Sequence, residues 1–281
     1  MAESTVRKAI EACYAELSAQ QRRAAEYLLA HHRTAFALSV HELARTVRVS
    51  EATLVRFARQ LGFAGYLELR AALMQEAKKD LAPEDRFALE QPSAEPAGTL
   101  KRVGANEAEN IRRTVEGVNP RDYRQFVDKL RRASEVTTLG LGVSGILARL
   151  AAYLLFQVGV RASLLSRDVL SLGEQIDRLP KSSALLVFGF PPYSKKTVDA
   201  AAQAHARKLT VLAITDGAGS PLVAHATATL FASNDNILYT NSISGALVMV
   251  NALVTDLALS DKARALGQLR ASSRALTDEQ Q

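Results

Sequence analysis

Apolar residues recur at helical spacing through the first part of the chain. The spacing predicts helices over residues 6–17, 19–31 and 66–79. Between them lie two shorter apolar stripes, each the buried side of an amphipathic helix: Val40, Leu43, Ala44 and Val47, then Leu54, Phe57, Ala58 and Leu61. The pattern predicts an all-helical N-terminal domain over residues 1–79.

Capping residues mark where the two short helices begin and end. Ser39 and Glu42 form a capping box at the start of the first helix, and Ser50 is placed to cap the second. Gly62 suits the C′ position that follows the second helix. Two short helices joined by a tight turn are the layout of a DNA-binding helix-turn-helix. A capped helical hairpin with a solvated polar face is the alternative.

The side chains predicted to face outward from these helices suit a DNA duplex. In the major groove, arginine pairs with guanine, and threonine contacts the thymine methyl group. Arginines beside the turn suit phosphate contacts, which position a protein on the duplex. The predicted DNA-binding residues are Arg45, Arg48, Ser50, Glu51, Thr53, Arg56, Arg59 and Gln60.

From residue 104 onwards, helical patterns alternate with short apolar runs. Helices are predicted over 104–117, 120–132, 145–158, 195–207 and 241–260. Strands are predicted over 136–141, 161–165, 184–190, 210–215 and 227–231. The fold class is therefore α plus α/β: a helical N-terminal domain, then a flavodoxin-like or Rossmann-like α/β/α domain with a parallel sheet. The predicted boundaries are a linker over 80–103, the α/β/α domain over 104–262 and a C-terminal tail over 263–281.

The loop after the first predicted strand is rich in glycine. Gly140, Gly142 and Gly145 match G-x-G-x-x-G, and Asp168 follows after the second strand. That is the outline of a dinucleotide fingerprint, so a repressor that senses NAD(H) is one interpretation. Glycines at a helix start also let a sugar phosphate approach the backbone. Glycines needed only for packing are the third interpretation.

The loop after the third predicted strand is basic and rich in hydroxyl groups, and it leads into a helix. Such a loop favours an anion, and the two loops are placed to hold one phosphate between them. The predicted effector-binding residues are Gly142, Ser144, Gly145, Tyr193, Ser194, Lys195, Lys196 and Thr197. In the alternative interpretation, Ser194 is only an N-cap and Thr197 is an ordinary first-turn residue.

Charge and composition narrow the class of protein. The formal net charge of +6 agrees with a polyanionic partner. Cys13 is the only cysteine, which excludes a disulfide framework and a thiolate metal site, and no metal site is predicted. The longest apolar run, 243–259, is interrupted by Asn251 and Asp256 and is short for a membrane span. We expect a cytoplasmic protein with no resident cofactor and no membrane partner.

Two segments resemble known families. The first runs Ser39-Val-His-Glu-Leu-Ala44, then Val49-Ser-Glu-Ala-Thr-Leu-Val-Arg-Phe-Ala-Arg-Gln-Leu-Gly-Phe-Ala-Gly-Tyr66. It resembles the N-terminal domain of the RpiR/MurR family of bacterial transcriptional regulators, over about residues 1–77. The two anion loops and Leu209-Thr-Val-Leu-Ala-Ile-Thr-Asp216 resemble the SIS (sugar isomerase) domain, over about residues 105–260.

The resemblance implies a regulator whose SIS domain binds a phosphorylated sugar or a related carbohydrate metabolite as effector. The family's phosphate-binding hydroxyls correspond to Ser144, Ser194 and Thr197. The chain departs from the family pattern at Pro192, where a serine is usual, and at Lys195, where a glycine is usual. The implied partners are a double-stranded DNA operator and further copies of the chain, as a dimer or tetramer that pairs through its helices. The apolar helix 241–260 is either a candidate pairing surface or a pure core helix.

An isomerase is the other function that a SIS domain suggests. Moving a proton beside a carbonyl requires a base, usually a carboxylate or a histidine. Glu174 and His225 are the nearby candidates, and neither lies in a recognisable catalytic setting. We therefore expect a binding domain with no catalytic residue.

Overall fold

By its internal contacts, the chain divides into two units, residues 1–90 and 91–281. The computed structural model describes residues 5–32, 34–80, 87, 95–166, 170–238 and 240–278. Most of the predicted linker, residues 81–86 and 88–94, lies outside the described residues.

The N-terminal unit is helical, as predicted. Its helices are α1 (Thr5–Cys13), α2 (Ala19–Ala30), α3 (Val40–Val47), α4 (Glu51–Gln60) and α5 (Tyr66–Asp80), with 3-10 turns at Tyr14–Glu16 and Ala35–Ala37. One hydrophobic core joins all five helices, and its fully buried side chains include Ile10, Leu28, Leu43, Leu54, Phe57, Leu69 and Leu73. Each such side chain stabilises the unit by about 1.5–3 kcal/mol relative to an exposed one.

The C-terminal unit has helices on both faces of a parallel sheet. Its helices are α6 (Pro96–Gly117), α7 (Pro120–Arg132), α8 (Val143–Gln157), α9 (Leu172–Arg178), α10 (Lys195–Ala206), α11 (Ser244–Ser260) and α12 (Lys262–Asp278), with a 3-10 turn at Val223–His225. Its strands are β1 (Val136–Leu139), β2 (Ala162–Leu164), β3 (Ala184–Phe188), β4 (Thr210–Thr215) and β5 (Ala228–Phe231). They pair in parallel in the order β2-β1-β3-β4-β5.

Alternate residues of the central strands serve two separate hydrophobic cores. In β3, Leu186 and Phe188 lie in the core that contains α7, α8 and α11. Leu185 and Val187 lie in the core that contains α9 and α10. All residues of β3 are buried, as expected of a parallel sheet enclosed by helices.

Beyond shifts of a few residues at helix and strand ends, the elements differ from the predicted ones in three places. α6 begins at Pro96, so residues 96–103 are helix rather than linker, because the fixed φ of proline suits a first helical turn. α9, which the apolar pattern did not predict, is started by a capping box between Ser171 and Glu174. The predicted C-terminal tail is helical as α12, up to residue 278.

α11, the predicted pairing surface, contributes mainly to the core of the C-terminal unit. Its residues Met249, Val250 and Leu253 are buried in the same core as α7 and α8. Within the described part of the chain, no single helix is long and apolar enough to cross a membrane. α11 and residues 262–274 of α12 meet the criterion only together, across a bend of 107°.

Candidate functional site

The turn between α3 and α4 is built as the capping residues predict. Ser39 N donates to the Glu42 carboxylate at 2.7 Å, and Glu42 N donates to Ser39 Oγ, which completes the capping box. Arg48 follows α3 in the left-handed region, at φ 54°, and Val49 packs against the core. Gly62, at φ +92°, is the C′ residue after α4. The helix-turn-helix layout is confirmed.

Thr53 does not face outward, and this prediction was wrong. Its side chain is 4% exposed, and its hydroxyl lies 2.8 Å from Ser50 Oγ and donates to Gln20 Oε1 at 3.3 Å. Gln20 belongs to α2, so the packing of α2 against α4 encloses Thr53. Arg56 Nη2 donates to the same hydroxyl oxygen at 3.3 Å. Thr53 therefore supports the exposed Arg56 from inside the domain.

The exposed side of α4 includes two residues that the sequence reasoning missed. Ala52 is exposed and Val55 is half-buried, beside the exposed Glu51, Arg56 and Arg59. These five positions form one stripe along the helix. Small apolar residues between charged ones are not unusual on a solvated face, so the sequence carried no signal for them.

Two predicted DNA-binding side chains are engaged by neighbouring helices. The Glu51 carboxylate lies 2.9 Å from His41 Nδ1 on α3. Gln60 Oε1 accepts a hydrogen bond from Gln21 Nε2 on α2 at 2.9 Å, so the Gln60 amide is directed towards α2. Gln60 is itself exposed one turn beyond Arg56, but its amide is held by α2.

The arginines around the turn are exposed. Arg45 lies on α3, Arg48 follows α3, and Arg59 lies on α4, where its Nε donates to Ala64 O at 3.3 Å. Among the described residues, Arg45 and Arg48 form no ion pair. Cations free of acidic partners keep their full attraction for phosphate groups.

The second candidate site lies at the carboxyl edge of the sheet, where β1 and β3 are neighbours. From β1 the chain enters α8, and from β3 it enters α10, and these helices belong to the cores on opposite faces of the sheet. In a doubly wound sheet of this strand order, the gap between β1 and β3 is the topological switch point, where ligands bind. The two predicted anion loops, 140–145 and 192–197, both begin there, and we call the second, together with Pro191 before it, the 191–197 loop.

Turn geometry accounts for the glycines of the 140–145 loop. A Cβ on Gly140 would lie 2.2 Å from the main-chain oxygen of Ser144, so only glycine lets α8 start this close to β1. Gly142, the N-cap of α8, has φ 60°, which favours glycine. The glycine pattern is thus required by the turn, whichever ligand binds. Asp168, the remaining element of the dinucleotide fingerprint, lies outside the described residues.

The 191–197 loop contains an unsatisfied buried hydroxyl. Ser194 occupies the N-cap position of α10, but its side chain makes no capping hydrogen bond, and Thr197 N donates to the main-chain oxygen of Ser194 instead. Thr197 is 3% exposed, and within the described residues its Oγ1 has no hydrogen-bond partner. A buried polar group left unpaired costs about 1–3 kcal/mol. Half-buried Ser144, in the first turn of α8, lies at the other loop.

The remaining predicted effector-binding side chains differ in how free they are. Tyr193 OH donates to Asp216 Oδ1 at 2.7 Å, and burial together with this carboxylate raises the pKa of Tyr193. Lys195 Nζ donates to Asp199 one turn further along α10, which raises the pKa of Lys195. Lys196 is exposed and forms no ion pair among the described residues. Lys196 is therefore the lysine of this loop that is available to an anion.

The two residues considered as catalytic bases are placed unfavourably for that role. Glu174 accepts hydrogen bonds from the hydroxyl and the main-chain N–H of Ser171, which lower its pKa and make it a weaker base. The His225 ring lies 6.2 Å from that of His205, in the last turn of α10. The 191–197 loop includes the first turn of the same helix, at its opposite end, and the helix spans about 18 Å.

Comparison with known proteins assigns both units to families. Residues 5–80 match the helix-turn-helix domain of the rpiR family, and residues 129–256 match the SIS domain. The HTH-type transcriptional regulator HexR of Pseudomonas aeruginosa is 27% identical over 212 residues, which cover 74% of this chain and 71% of that protein. The fold thus defines a two-domain regulator with a helical DNA-binding domain and a SIS domain.

Solved structures agree with this assignment. The sugar isomerase domain of an RpiR transcription factor from Sphaerobacter thermophilus is 27% identical with a TM-score of 0.60, covering 62% of this chain and 97% of that one. The NanR protein of Vibrio vulnificus has the same fold over nearly the whole chain, with 21% identity, a TM-score of 0.59 and coverage of 96% and 98%. The chain therefore contains an RpiR-type helix-turn-helix domain and a SIS domain, and its curated relatives are HTH-type transcriptional regulators.

Proposed function

We propose that the SIS domain binds a phosphorylated sugar or a related carbohydrate metabolite and that this effector changes the affinity of the helix-turn-helix domain for its operator. The unpaired Thr197 hydroxyl at the start of α10 carries the proposal. A phosphoryl group between the first turns of α8 and α10 would accept hydrogen bonds from this hydroxyl, from Ser144 and Ser194, and from main-chain N–H groups at the start of both helices.

The chemical class of effector is supported by a protein of the same fold. The solved structure of Vibrio vulnificus NanR is a complex with ManNAc-6P. That phosphorylated amino sugar is a first compound to test, although Pro192 and Lys195 alter the loop that would hold it. Lys196 would add attraction for a phosphate dianion.

For DNA binding, α4 is the helix that enters the major groove in our proposal. Arg56 would pair with guanine, and the methyl groups of Ala52 and Val55 would contact thymine, the role first predicted for Thr53. Arg45 and Arg48 would contact phosphates on either side. A single domain of this size has a small interface, so operator binding is proposed for a homodimer or higher oligomer.

In our proposal, the SIS domain acts as a sensor rather than as an isomerase. The two residues considered as bases suit that role poorly, because the pKa of Glu174 is lowered and His225 packs at the far end of α10. An NAD(H) sensor is the other candidate, because the 140–145 loop has the glycines of a dinucleotide fingerprint.

A thermal-shift screen of the full chain distinguishes these functions. A ligand that binds only the native protein stabilises it by about 2.7 kcal/mol at a concentration 100 times its Kd. We expect phosphorylated sugars to raise the melting temperature, with a smaller effect of inorganic phosphate and none of the unphosphorylated sugars. Ser194→Ala should abolish the shift, whereas Ser260→Ala, at the far end of α11, should preserve it. A shift with NADH alone would replace this proposal by the dinucleotide function.

A further inference from the structure

One face of α6 is polar although the helix packs against the body of the C-terminal unit. Asn110 and Thr114, one turn apart on this face, are 1% and 3% exposed. Asn106 and Glu107 lie one turn earlier on the same side of the helix. A buried polar helix face requires partners for every group, and it fixes the relative position of the packed elements more narrowly than an apolar face does.

The partners of this face come from the segment between β5 and α11. Asn110 accepts from Ser233 Oγ and Asp235 N at 2.9 and 3.1 Å, and its Nδ2 donates to Asp235 O at 2.7 Å. Thr114 Oγ1 accepts from Ser233 N at 2.9 Å. Ser242 Oγ donates to the Glu107 carboxylate. We call Ser233, Asn234, Asp235, Asn241 and Ser242 the polar bridge.

The other side of the polar bridge holds the proposed effector loop. Asn241 Nδ2 donates to the main-chain oxygen of Pro191, the first residue of the 191–197 loop. Asn241 Oδ1 accepts from Asn234 Nδ2 at 3.0 Å, and Ser242 N donates to Asn234 O at 3.1 Å. A continuous series of hydrogen bonds therefore runs from the loop, through Asn241, to α6.

We propose that Asn241 is a positioning residue that holds the 191–197 loop and transmits its conformation to α6. The inference rests on the proposed function, because an effector at this loop supplies the signal. α6 is the first helix of the C-terminal unit, and it follows directly on the residues that join this unit to the DNA-binding domain. A ligand that moves Pro191 would change the geometry at Asn241, and with it the preferred position of α6.

Hydrogen exchange on the full chain tests the positioning role without any ligand. Asn241→Ala removes the donor to Pro191, and we expect amides of the 191–197 loop to exchange about 2- to 10-fold faster, the effect of losing one hydrogen bond of ordinary net strength. Asn236→Ala is the matched control, because Asn236 lies in the same segment and, among the described residues, its side chain hydrogen-bonds only to Thr240 and Leu238. Asn241→Asp keeps the side-chain oxygen that accepts from Asn234 and loses the Nδ2 donor to Pro191, so it should behave like Asn241→Ala. It replaces Asn241→Ala in the experiment if the alanine variant does not fold.

Inorganic phosphate is the probe for transmission. In the native protein and in Asn236→Ala, saturating phosphate should slow amide exchange over residues 106–114 of α6. In Asn241→Ala this response should be lost, although the thermal shift caused by phosphate remains. Unchanged exchange of the 191–197 loop in both Asn241 variants, or a response of α6 that persists in them, would overturn the inference. Absence of any thermal shift with phosphate in the native protein would count against the effector site itself, and the ligand-free exchange would still decide whether Asn241 positions the loop.

Discussion

The Thr53 hydroxyl is a structural group of the DNA-binding domain. It contacts Ser50, Gln20 and Arg56 from a position that is 4% exposed. Thr53→Val keeps the shape and removes these hydrogen bonds, so we expect α4 to lose about 1–2 kcal/mol of stability against local opening, measured by amide exchange. Thr53→Ser keeps the hydroxyl and is the control. Equal protection of α4 in Thr53→Val and the native protein would contradict the assigned role.

Removing the Thr197 hydroxyl is expected to have the opposite effect on stability. Its Oγ1 is buried and without a partner among the described residues, so Thr197→Val removes a desolvated polar atom at nearly constant volume. The ligand-free protein should therefore be as stable as the native chain or more stable, by up to about 1–3 kcal/mol. The thermal shift with phosphorylated sugars should decrease at the same time. If Thr197→Val destabilises the free protein and leaves the ligand shift unchanged, Thr197 is an ordinary first-turn residue.

These two threonines mark what the sequence alone could and could not predict about the sites. The helix that begins at Lys195 was predicted, and with it the place of Thr197 in a first turn, whereas the role of Thr197 in effector binding stays a prediction. Thr53 was placed on the wrong face, because the side chain that encloses it, Gln20, comes from another helix. Asn241 gave no local signal, since its contact with Pro191 joins positions far apart in the chain. Contacts between elements decide whether a residue such as Thr53 is buried and which loop a residue such as Asn241 holds.

The capping box of α3 gives the DNA-binding domain a dependence on pH. The main-chain N–H and the hydroxyl of Ser39 lower the pKa of Glu42. A carboxylate with a lowered folded-state pKa stabilises the folded form above its unfolded pKa, and the contribution is lost as the pH falls through the folded value. We expect the first turn of α3 to fray as the pH falls below about 4.3, the ordinary pKa of a glutamate, as seen in Cα chemical shifts. In Glu42→Gln this pH dependence of the first turn should disappear. Identical pH profiles of the native protein and Glu42→Gln would refute the assignment of the dependence to Glu42.

Helices and strands were the most predictable features of the chain. The strands of the sheet follow from apolar runs, and α3 and α4 follow from capping residues and spacing. α6 was predicted to begin too late, because proline was taken as a linker residue although it fits a first turn. α9 was missed because its seven residues are too few to display a helical period. The strand order, which creates the switch point between β1 and β3, is set by pairing and is not visible in any single segment.

In the whole molecule, the two domains share one chain but carry separate cores, so an effector acts on DNA only through a difference in free energy between conformations. The coupling free energy between the effector site and the DNA site is the same whichever of the two ligands binds first. If a phosphorylated sugar changes operator affinity by some factor, the operator must change the affinity for the sugar by the same factor, typically about 5- to 150-fold. Both affinities are measurable by calorimetry and fluorescence anisotropy at a fixed salt concentration.

Measurement of the coupling factor also separates the role of the DNA-binding residues from that of the effector loops. Arg48→Ala, which removes a proposed phosphate contact, should weaken binding to all DNA sequences alike and reduce the slope of log affinity against log salt by about 1. The coupling factor should stay unchanged, because the effector loops are intact. The double variant Ser194→Ala with Thr197→Ala should have the reverse effect: native operator affinity without effector, and a coupling factor near unity. A coupling factor altered by Arg48→Ala, or preserved in the double variant, would mean that the effector acts on DNA binding by another route than the 140–145 and 191–197 loops.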